Sequence, residues 1–279
     1  MQKRVVAVHD ISCVGKCSLT VALPILSAAG IETSIIPTAI LSTHTGGFTG
    51  YTFRDLTADI DPIVAHWESL NLKVDSIYTG YLGSFEQLNI VSSLIDRLGK
   101  DALILIDPVM GDSGRLYSGF SAEFAKGMAQ LCGKADIIIP NLTEAAFMLG
   151  EEYVGSGYDR EYIEGLLKRL AALGCKKVVL SGISFEEKLL GAAAYDAETD
   201  TYEYYFREEI PGYYHGTGDV FGSALLSALL NGKSLLETIK IAVDYTVECI
   251  RLTHKAGTDV RYGVNFENAI PQLIKAIKE

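Results

Sequence analysis

The chain has 279 residues, 48% of them hydrophobic, and a formal net charge of -11 at pH 7. This negative charge disfavours nucleic acids and anionic membrane surfaces as partners, because both repel an acidic protein. A membrane span is not expected either, since no apolar stretch reaches about 18 residues. The five cysteines are scattered and include no CxxC pair, so reduced thiols in a cytoplasmic protein are expected.

Strand and helix patterns alternate along the chain. The predicted strands are Val5–Val8, Ser34–Ile40, Ser76–Thr79, Ala102–Ile106, Ile137–Ile139, Val178–Leu180, Ala192–Tyr195 and Tyr202–Phe206. The predicted helices are Ser18–Ala29 with Gly30 as its C-cap, Pro62–Leu70, Phe85–Leu98, Ala122–Cys132, Thr143–Leu149, Arg160–Leu173, Val220–Leu230 and Leu235–Thr253. Because Met1–Arg4 leads directly into the first strand, no signal peptide is expected.

This alternation favours an α/β fold with a single domain over residues 1–279. The middle strands are short, continuous apolar runs, which is typical of parallel strands covered on both faces. The expected architecture is a three-layer α/β/α sandwich around a mostly parallel central sheet. The last two strands are joined by residues 196–200 and are expected to form an antiparallel hairpin at the sheet edge.

Polar residues follow five of the predicted strands. In chain order they are His9 and Asp10, the segment 80–84, the segment 107–112, the segment 140–144, and Ser181. The carboxyl ends of parallel strands lie on one rim of a sheet, and ligands bind in the crevice there. Any one of these segments alone is typical of a turn or a helix cap. Their agreement predicts a substrate and metal site at this rim.

A glycine turn, Gly216-Thr217-Gly218-Asp219, leads directly into the apolar helix that begins at Val220. The N-terminus of such a helix presents unpaired N–H groups and a positive dipole end, which favour an anion such as a phosphoryl group. A carboxylate beside that anion is explained if Asp219 is a general base for an attacking hydroxyl. The alternative on these residues alone is a turn in which Asp219 is only the N-cap.

Motifs of other enzyme classes are missing from the sequence. No GxGxxG follows a strand, which leaves a dinucleotide site unsupported. The five histidines show no HExxH or zinc spacing, and no Gly-x-Ser-x-Gly elbow is present. Residues 15–18 are similar to the end of a Walker A loop, but Cys17 replaces the Ser or Thr that this loop requires.

The glycine turn resembles the catalytic motif of the ribokinase-like kinases, and four further segments resemble the pyridoxal kinase branch of that superfamily. These segments are Ser42–Gly46, Thr79–Ser84, Asp107–Asp112 and Pro140–Glu144. The similarity runs in order from Val5 to about Ile250. It implies a ribokinase-like fold and an ATP-dependent kinase that phosphorylates the 5′-hydroxymethyl group of vitamin B6. It also implies Mg²⁺ as cofactor, a monovalent cation such as K⁺ in some members, and a homodimer.

The resemblance also implies a role for each matching residue on the phosphate side of the site. Asp219 matches the base, and Gly216, Thr217 and Gly218 match the anion hole for the transferred phosphoryl group. The matches to the nucleotide-binding region are Asp107, Asp112, Asn141, Glu144, Ser181 and Thr217. Within that region Asp107, Asn141 and Glu144 match residues that hold Mg²⁺, largely through water.

On the substrate side, Thr45 and Tyr81 match residues that contact the pyridine ring. Asp10 stands where many pyridoxal kinases have a serine, and Ser12 lies two residues further on. The pair Asp10-x-Ser12 instead resembles the hydroxymethylpyrimidine kinases of thiamine synthesis, which are a sister branch. Those enzymes usually carry a glutamine near His44, and this chain has none there.

Three alternatives to a vitamin B6 kinase therefore stay open. The nearest is hydroxymethylpyrimidine kinase. A sugar or nucleoside kinase is less favoured, because the segment between Val8 and Ser76 is short for an inserted lid. A non-catalytic sensor of pyridoxal phosphate is disfavoured by Asp219, since a sensor needs no base. The aromatic segment Tyr213–His215 is predicted either to cover the substrate or to pack on the rim.

Overall fold

A nine-stranded sheet forms the centre of the protein in the computed structural model, which describes residues 2–279. The strands are β1 (Arg4–Ser12), β2 (Glu32–Leu41), β3 (Phe53–Asp55), β4 (Ser76–Thr79), β5 (Leu103–Ile106), β6 (Gly111–Asp112), β7 (Arg115–Leu116), β8 (Ile137–Ile138), β9 (Lys177–Ile183), β10 (Leu189–Asp196) and β11 (Thr201–Glu208). Strands β6 and β7 form a separate small hairpin.

The sheet order is β11-β10-β9-β8-β5-β4-β1-β2-β3. The six strands β9, β8, β5, β4, β1 and β2 are parallel to one another. Strands β3 and β10 pair with the two ends of this group in antiparallel fashion, and β11 is antiparallel to β10. The predicted mostly parallel sheet and its edge hairpin are therefore confirmed. The chain moves from β1 to β2 on one side and then crosses to β4 on the other. The crevice between the carboxyl ends of β1 and β4 is thus a topological switch point, where ligands bind in such folds.

Helices cover both faces of the sheet. They are α1 (Leu19–Ala28), α2 (Thr57–Ser69), α3 (Phe85–Leu98), α4 (Ala122–Cys132), α5 (Leu142–Leu149), α6 (Arg160–Ala171), α7 (Thr217–Leu230), α8 (Leu235–Ala256) and α9 (Ile270–Lys278). One apolar core joins α2 to α6 with one face of the sheet, and a second joins α1 and α7 to α9 with the other face. Burying apolar surface on both sides stabilises three layers, so the predicted α/β/α sandwich is confirmed.

Helix α7 is buried on all sides from Val220 to Ala228. Its apolar surface has no polar stripe, because α1, α8 and the sheet enclose it together. The two polar ends of this helix are therefore the parts that reach solvent, and its N-terminus lies at the crevice. Among the residues that the structure describes, no helix is long and apolar enough to cross a membrane.

Some predicted boundaries are wrong, and three of them concern site residues. Strand β1 continues to Ser12 because a bulge after His9 lets it keep pairing with β2, so Asp10 and Ser12 lie within the strand. Strand β9 continues to Ile183 and includes Ser181. Helix α7 begins at Thr217 instead of Val220, which places the glycine turn in its first turn. The first helix ends at Ala28 with Ala29 as its C-cap, and Gly30, with a φ of 84°, follows.

Candidate active site

The predicted site residues meet at the carboxyl rim of the sheet. Asp10 lies near the end of β1, Tyr81 follows β4, and Asp107 follows β5. Asn141 follows β8 and forms a bridge with Ser181 of β9. The Asp107 amide donates to the Thr79 carbonyl at 3.0 Å, which ties the ends of β4 and β5 together. The sequence prediction of one common rim is therefore confirmed.

The N-terminus of α7 is open to a ligand. Gly216 is the N-cap in a left-handed conformation, with a φ of 76°, and no side chain caps the helix. A methyl group on Gly216 would overlap with the carbonyl oxygen of Lys16, so only glycine fits at this position. Around Gly218, in contrast, no heavy atom lies within 4 Å of an added Cβ. The first amides of α7 are thus free to bind an anion.

Asp219 lies in the first turn of α7, three residues after the N-cap. Because Gly216 holds the N-cap position, the alternative in which Asp219 is the N-cap is wrong. Burial raises the pKa of Asp219 to about 7, the amide of Ser18 lowers it, and Asp10 raises it further. A carboxyl group that titrates near neutral pH suits a general base that must both accept and release a proton.

The β1 side of the crevice contains a buried carboxyl group, that of Asp10. Ser12 Oγ donates to Asp10 Oδ2 at 3.2 Å. Burial raises the pKa of Asp10, while hydrogen bonds from Ser18 and Ser12 oppose the rise. Burial raises the pKa of the Tyr81 phenol, and the charge of Asp10 raises it further. Its ring lies 5.6 Å from that of Phe120, and Tyr81 is only partly buried.

Thr45, which the resemblance assigns to the pyridine ring, is exposed in the loop between β2 and β3. The neighbouring His44 is buried and holds this loop in place. Its Nδ1 accepts from the Gly46 amide at 3.1 Å, so its Nε2 donates to the Arg261 carbonyl at 2.6 Å. The His215 ring lies 5.1 Å from the His44 ring. Segment 213–215 therefore packs on the rim through His215, beside the substrate side of the crevice.

The C-terminal region contributes contacts that the sequence did not indicate. The Lys16 amide donates to the Tyr262 carbonyl at 3.0 Å, and Lys16 Nζ donates to Asn265 and Glu267. Because the Lys16 carbonyl lies against Gly216, the chain near residue 262 supports the glycine turn. Of these residues, only Lys16 was noted in the sequence, as part of the segment that is similar to a Walker A loop. That motif was rejected because Cys17 replaces its Ser or Thr.

Two buried carboxyl groups, those of Asp107 and Glu144, lie after β5 and at the start of α5. Burial raises the pKa of Asp107, and the charges of Glu144 and Asp219 raise it further. Burial likewise raises the pKa of Glu144, although backbone amides oppose this rise. Asp112 lies beside them in β6, where its Oδ1 accepts from the Ser113 amide at 2.7 Å.

Asn141 and Glu144 are held by a capping box at the start of α5. Asn141 Oδ1 accepts from the Glu144 amide, and Glu144 Oε2 accepts from the Asn141 amide, both at 2.9 Å. Glu144 Oε1 also accepts from the Met110 amide at 3.1 Å, and Asn141 Nδ2 donates to the Gly111 carbonyl at 2.9 Å. Hydrogen bonds with the backbone therefore hold both side chains in one conformation.

The acidic pair fits a hydrated Mg²⁺ ion. Nearby cations favour the ionised form of buried carboxyl groups. Backbone amides bind Glu144, but no Lys, Arg or His side chain among the described residues offsets the charge of Asp107 or Glu144. Within residues 2–279, no three His, Cys, Asp or Glu side chains are placed to hold a metal ion directly. Mg²⁺ usually keeps several waters and uses one or two carboxylates, which agrees with contact largely through water.

Comparison with known proteins identifies the family. The family model described as phosphomethylpyrimidine kinase matches residues 25–264, which is most of the chain. The chain belongs to the phosphomethylpyrimidine kinase family. This kinase therefore performs phosphoryl transfer, as its glycine turn and acidic residues predict.

Three relatives show how close the similarity is. A solved Bacteroides thetaiotaomicron structure, described as a phosphomethylpyrimidine kinase with pyridoxal, is 38% identical to this kinase, with a TM-score of 0.93 over 98% of this chain and 96% of that one. Pyridoxal kinase from Lactobacillus plantarum is 31% identical, with a TM-score of 0.90 over 99% and 97%. The pyridoxine/pyridoxal/pyridoxamine kinase of Bordetella avium is 28% identical over 91% of this chain and 86% of its own.

Proposed function

We propose that this kinase uses ATP to phosphorylate the 5′-hydroxymethyl group of pyridoxal, pyridoxamine or pyridoxine. The observation that carries the proposal is Asp219, a carboxyl group with a pKa near 7 beside the open amides of α7. Pyridoxal in the structure of the 38% identical relative supports vitamin B6 as the substrate.

In the proposed reaction, Asp219 accepts the proton of the substrate hydroxyl as its oxygen attacks the γ-phosphorus of ATP. The bond from that phosphorus to the β,γ-bridging oxygen breaks, and ADP leaves. The amides of Gly216, Thr217 and Gly218 stabilise the charge on the transferred phosphoryl group. Asp107 and Glu144 would hold hydrated Mg²⁺, which neutralises phosphate charge when bound.

The remaining assignments follow the same site. Asn141 would orient waters of the ion, while Asp112, Ser181 and Thr217 would lie near the nucleotide phosphates. Tyr81 and Thr45 would contact the pyridine ring, and Asp10 with Ser12 would bind its polar substituents. A monovalent cation such as K⁺ would act beside the phosphates, as in related kinases.

Hydroxymethylpyrimidine kinase is the second candidate function. The family model is described as phosphomethylpyrimidine kinase, a name that refers to the same pyrimidine ring, and Ser12 bonded to Asp10 in β1 is the pair that resembles this branch. Both substrates present a hydroxymethyl group on a six-membered nitrogen ring, so one base and one anion hole can serve either. The polar contacts around Asp10 would decide between the two rings.

We also propose a homodimer of single-domain subunits over residues 1–279 that functions in the cytoplasm. The free state of all five cysteines supports a reducing compartment. The edge strand β3 is exposed, and Phe53 keeps 51% of its surface accessible there. Light scattering on the purified protein would test the dimer, and a monomer at every concentration would contradict it.

The decisive experiment measures ATP consumption with pyridoxal, pyridoxamine, pyridoxine and hydroxymethylpyrimidine side by side. We expect turnover with the three B6 vitamers and a kcat/KM for hydroxymethylpyrimidine lower by about tenfold or more. Preference for hydroxymethylpyrimidine would favour the second candidate. Tight binding of pyridoxal phosphate without turnover of any alcohol would favour the sensor.

A further inference from the structure

Three fully buried side chains beneath the crevice carry polar atoms without a hydrogen-bond partner. They are His9 of β1, Tyr78 of β4 and Ser223 of α7. The His9 and Tyr78 rings meet edge to face at 4.5 Å between centroids. Burying a hydroxyl without a partner destabilises a fold, so native proteins contain few such groups. Ser223 belongs to α7, the helix that carries Asp219, which gives this cluster a connection to the proposed reaction.

The Tyr78 hydroxyl lies against the sheet side of α7. A Cβ on Gly222 would come within 2.5 Å of Tyr78 Oη, so the hydroxyl occupies the space that a side chain would take. Gly222 is three residues after Asp219, which is about one turn of the helix. The phenol therefore supports the turn that carries the base.

The charged groups around this phenol belong to the active site. The pKa of Tyr78 is raised by burial and then by Asp107 and Asp219, while Ser223 lowers it. Ser223 thus lies close to the phenol, although neither hydroxyl has a partner in hydrogen-bond geometry. His9 adds no charge, because burial lowers its pKa to about 3. The charges of both Asp219 and Asp107 therefore act on the Tyr78 phenol.

We propose that Tyr78 is a positioning residue for phosphoryl transfer, whose hydroxyl sets the depth of the first turns of α7 and so places Asp219 against the acceptor hydroxyl. The proposal rests on the proposed role of Asp219 as base. It explains why an unpartnered hydroxyl is kept at a site where phenylalanine would fill nearly the same volume. It also explains glycine at position 222 in a helix that is otherwise rich in larger residues.

The test is Tyr78→Phe, which removes only the hydroxyl. We expect kcat to fall about tenfold while the KM values for ATP and the alcohol change less than about twofold, because a small displacement of the base affects the chemical step alone. The midpoint of thermal unfolding should stay equal or rise, since an unpartnered buried hydroxyl is lost. A kcat within about twofold of the parent enzyme would overturn the proposal.

Thr238→Val provides a matched control. Thr238 is also fully buried with an unpartnered hydroxyl, but it lies near the start of α8, away from the crevice. We expect its removal to leave kcat unchanged. An equal fall in kcat for Thr238→Val and Tyr78→Phe would mean that core packing in general, not this contact, controls the rate.

The contact itself is tested with Gly222→Ala, alone and combined with Tyr78→Phe. If Tyr78 acts through Gly222, the methyl group should lower kcat more in the parent enzyme than in the Tyr78→Phe background. Additive effects of the two substitutions would overturn this route.

The experiment must distinguish a wrong substrate proposal from a wrong proposal for Tyr78. The ratio of variant to parent kcat is therefore measured with the B6 vitamers, with hydroxymethylpyrimidine, and for ATP hydrolysis by water without any alcohol. Activity only toward hydroxymethylpyrimidine would contradict the vitamin B6 proposal. The variant ratio for that substrate would still support or overturn Tyr78.

Discussion

Asp219 combines two properties at one residue: it lies beside free helix amides, and burial raises its pKa to about 7. As the proposed base, Asp219 would act only when ionised. We therefore expect kcat/KM to rise with pH and to level off above an apparent pKa near 7, because this parameter reports groups of the free enzyme. A profile that stays flat from about pH 5.5 to 8 would contradict the assignment.

The variant that checks this assignment is Asp219→Asn. Its kcat should fall by roughly 10²–10⁴ with little change in KM, because the amide can position the alcohol but cannot accept its proton. The pH dependence of stability adds an independent measurement. The pKa of Asp219 is raised above its ordinary value of 3.8, so the folded state binds the proton more tightly and loses stability as pH rises from 3.8 to about 7. Denaturant unfolding should therefore show Asp219→Asn to be more stable than the parent at pH 8. In the kinetic measurement, near-normal turnover of Asp219→Asn would contradict the assignment of Asp219 as the base.

Asp10 is the residue expected to determine which ring substituents the enzyme prefers. Replacing it with Ser removes a buried carboxyl group that Ser12 and Ser18 hold in place. We expect the ratio of kcat/KM between pyridoxamine and pyridoxal to change by about tenfold, because an amine and an aldehyde differ in their hydrogen bonds to a carboxylate. Ser12→Ala, which keeps the carboxyl group, should change this ratio less. Identical vitamer ratios in the parent and Asp10→Ser would mean that Asp10 points away from the ring.

The capping box of α5 gives a prediction at the level of the element. Glu144→Gln keeps the side-chain shape but removes a charge and one acceptor for the amides of Asn141 and Met110. We expect a loss of about 1–2 kcal/mol of stability and a higher Mg²⁺ concentration for half-maximal activity. Glu237→Gln is the control, since Glu237 forms the same box with Ser234 on an exposed helix end. An unchanged dependence of activity on Mg²⁺ concentration would contradict a role of Glu144 in holding the metal.

Elements with strong patterns could be predicted, and elements held by tertiary contacts could not. The six parallel strands were expected because continuous apolar runs require cover on both faces. Strand β3 was missed, since its three residues are all exposed and only pairing with β2 defines it. Helix α2 begins at Thr57, well before the predicted Pro62; its N-cap is Leu56, and Asp55 Oδ1 accepts from the Thr57 amide at 2.8 Å. Helix α9 was missed as well, and it packs against α8 at the end of the chain.

The site could be predicted as far as motifs and strand ends reach. Asp107, Asn141 and Ser181 lie at one rim because parallel strands must end there. The contacts of His44 and Tyr78 could not be predicted, since they depend on partners 217 and 144 residues away, Arg261 and Gly222. For Tyr78, burial and a T-shaped contact with a neighbouring ring are also what an ordinary core residue shows. Such roles arise from packing across the molecule, which a local pattern does not record.

At the scale of the whole molecule, the C-terminal region closes over the start of the chain. The Tyr262 carbonyl accepts from Lys16, and the Lys16 carbonyl in turn lies against Gly216 at the anion hole. Gly263 makes this approach possible, because its φ is 84° and a Cβ there would lie 2.8 Å from the Lys16 carbonyl oxygen. A substitution at Gly263, more than 240 residues from Lys16 in sequence, should therefore affect the proposed anion hole through a single residue, Lys16.

Gly263→Ala tests this coupling. We expect a stability loss of about 1–3 kcal/mol, because alanine is strained at this positive φ, and a fall in kcat of about tenfold as Lys16 moves against Gly216. Gly257→Ala is the control: Gly257 also has a positive φ, 63°, but no atom lies within 4 Å of an added Cβ. It should lose stability from backbone strain and keep its kcat. If both variants lose stability and both keep the parent kcat, the C-terminal region stabilises the fold without acting on the anion hole.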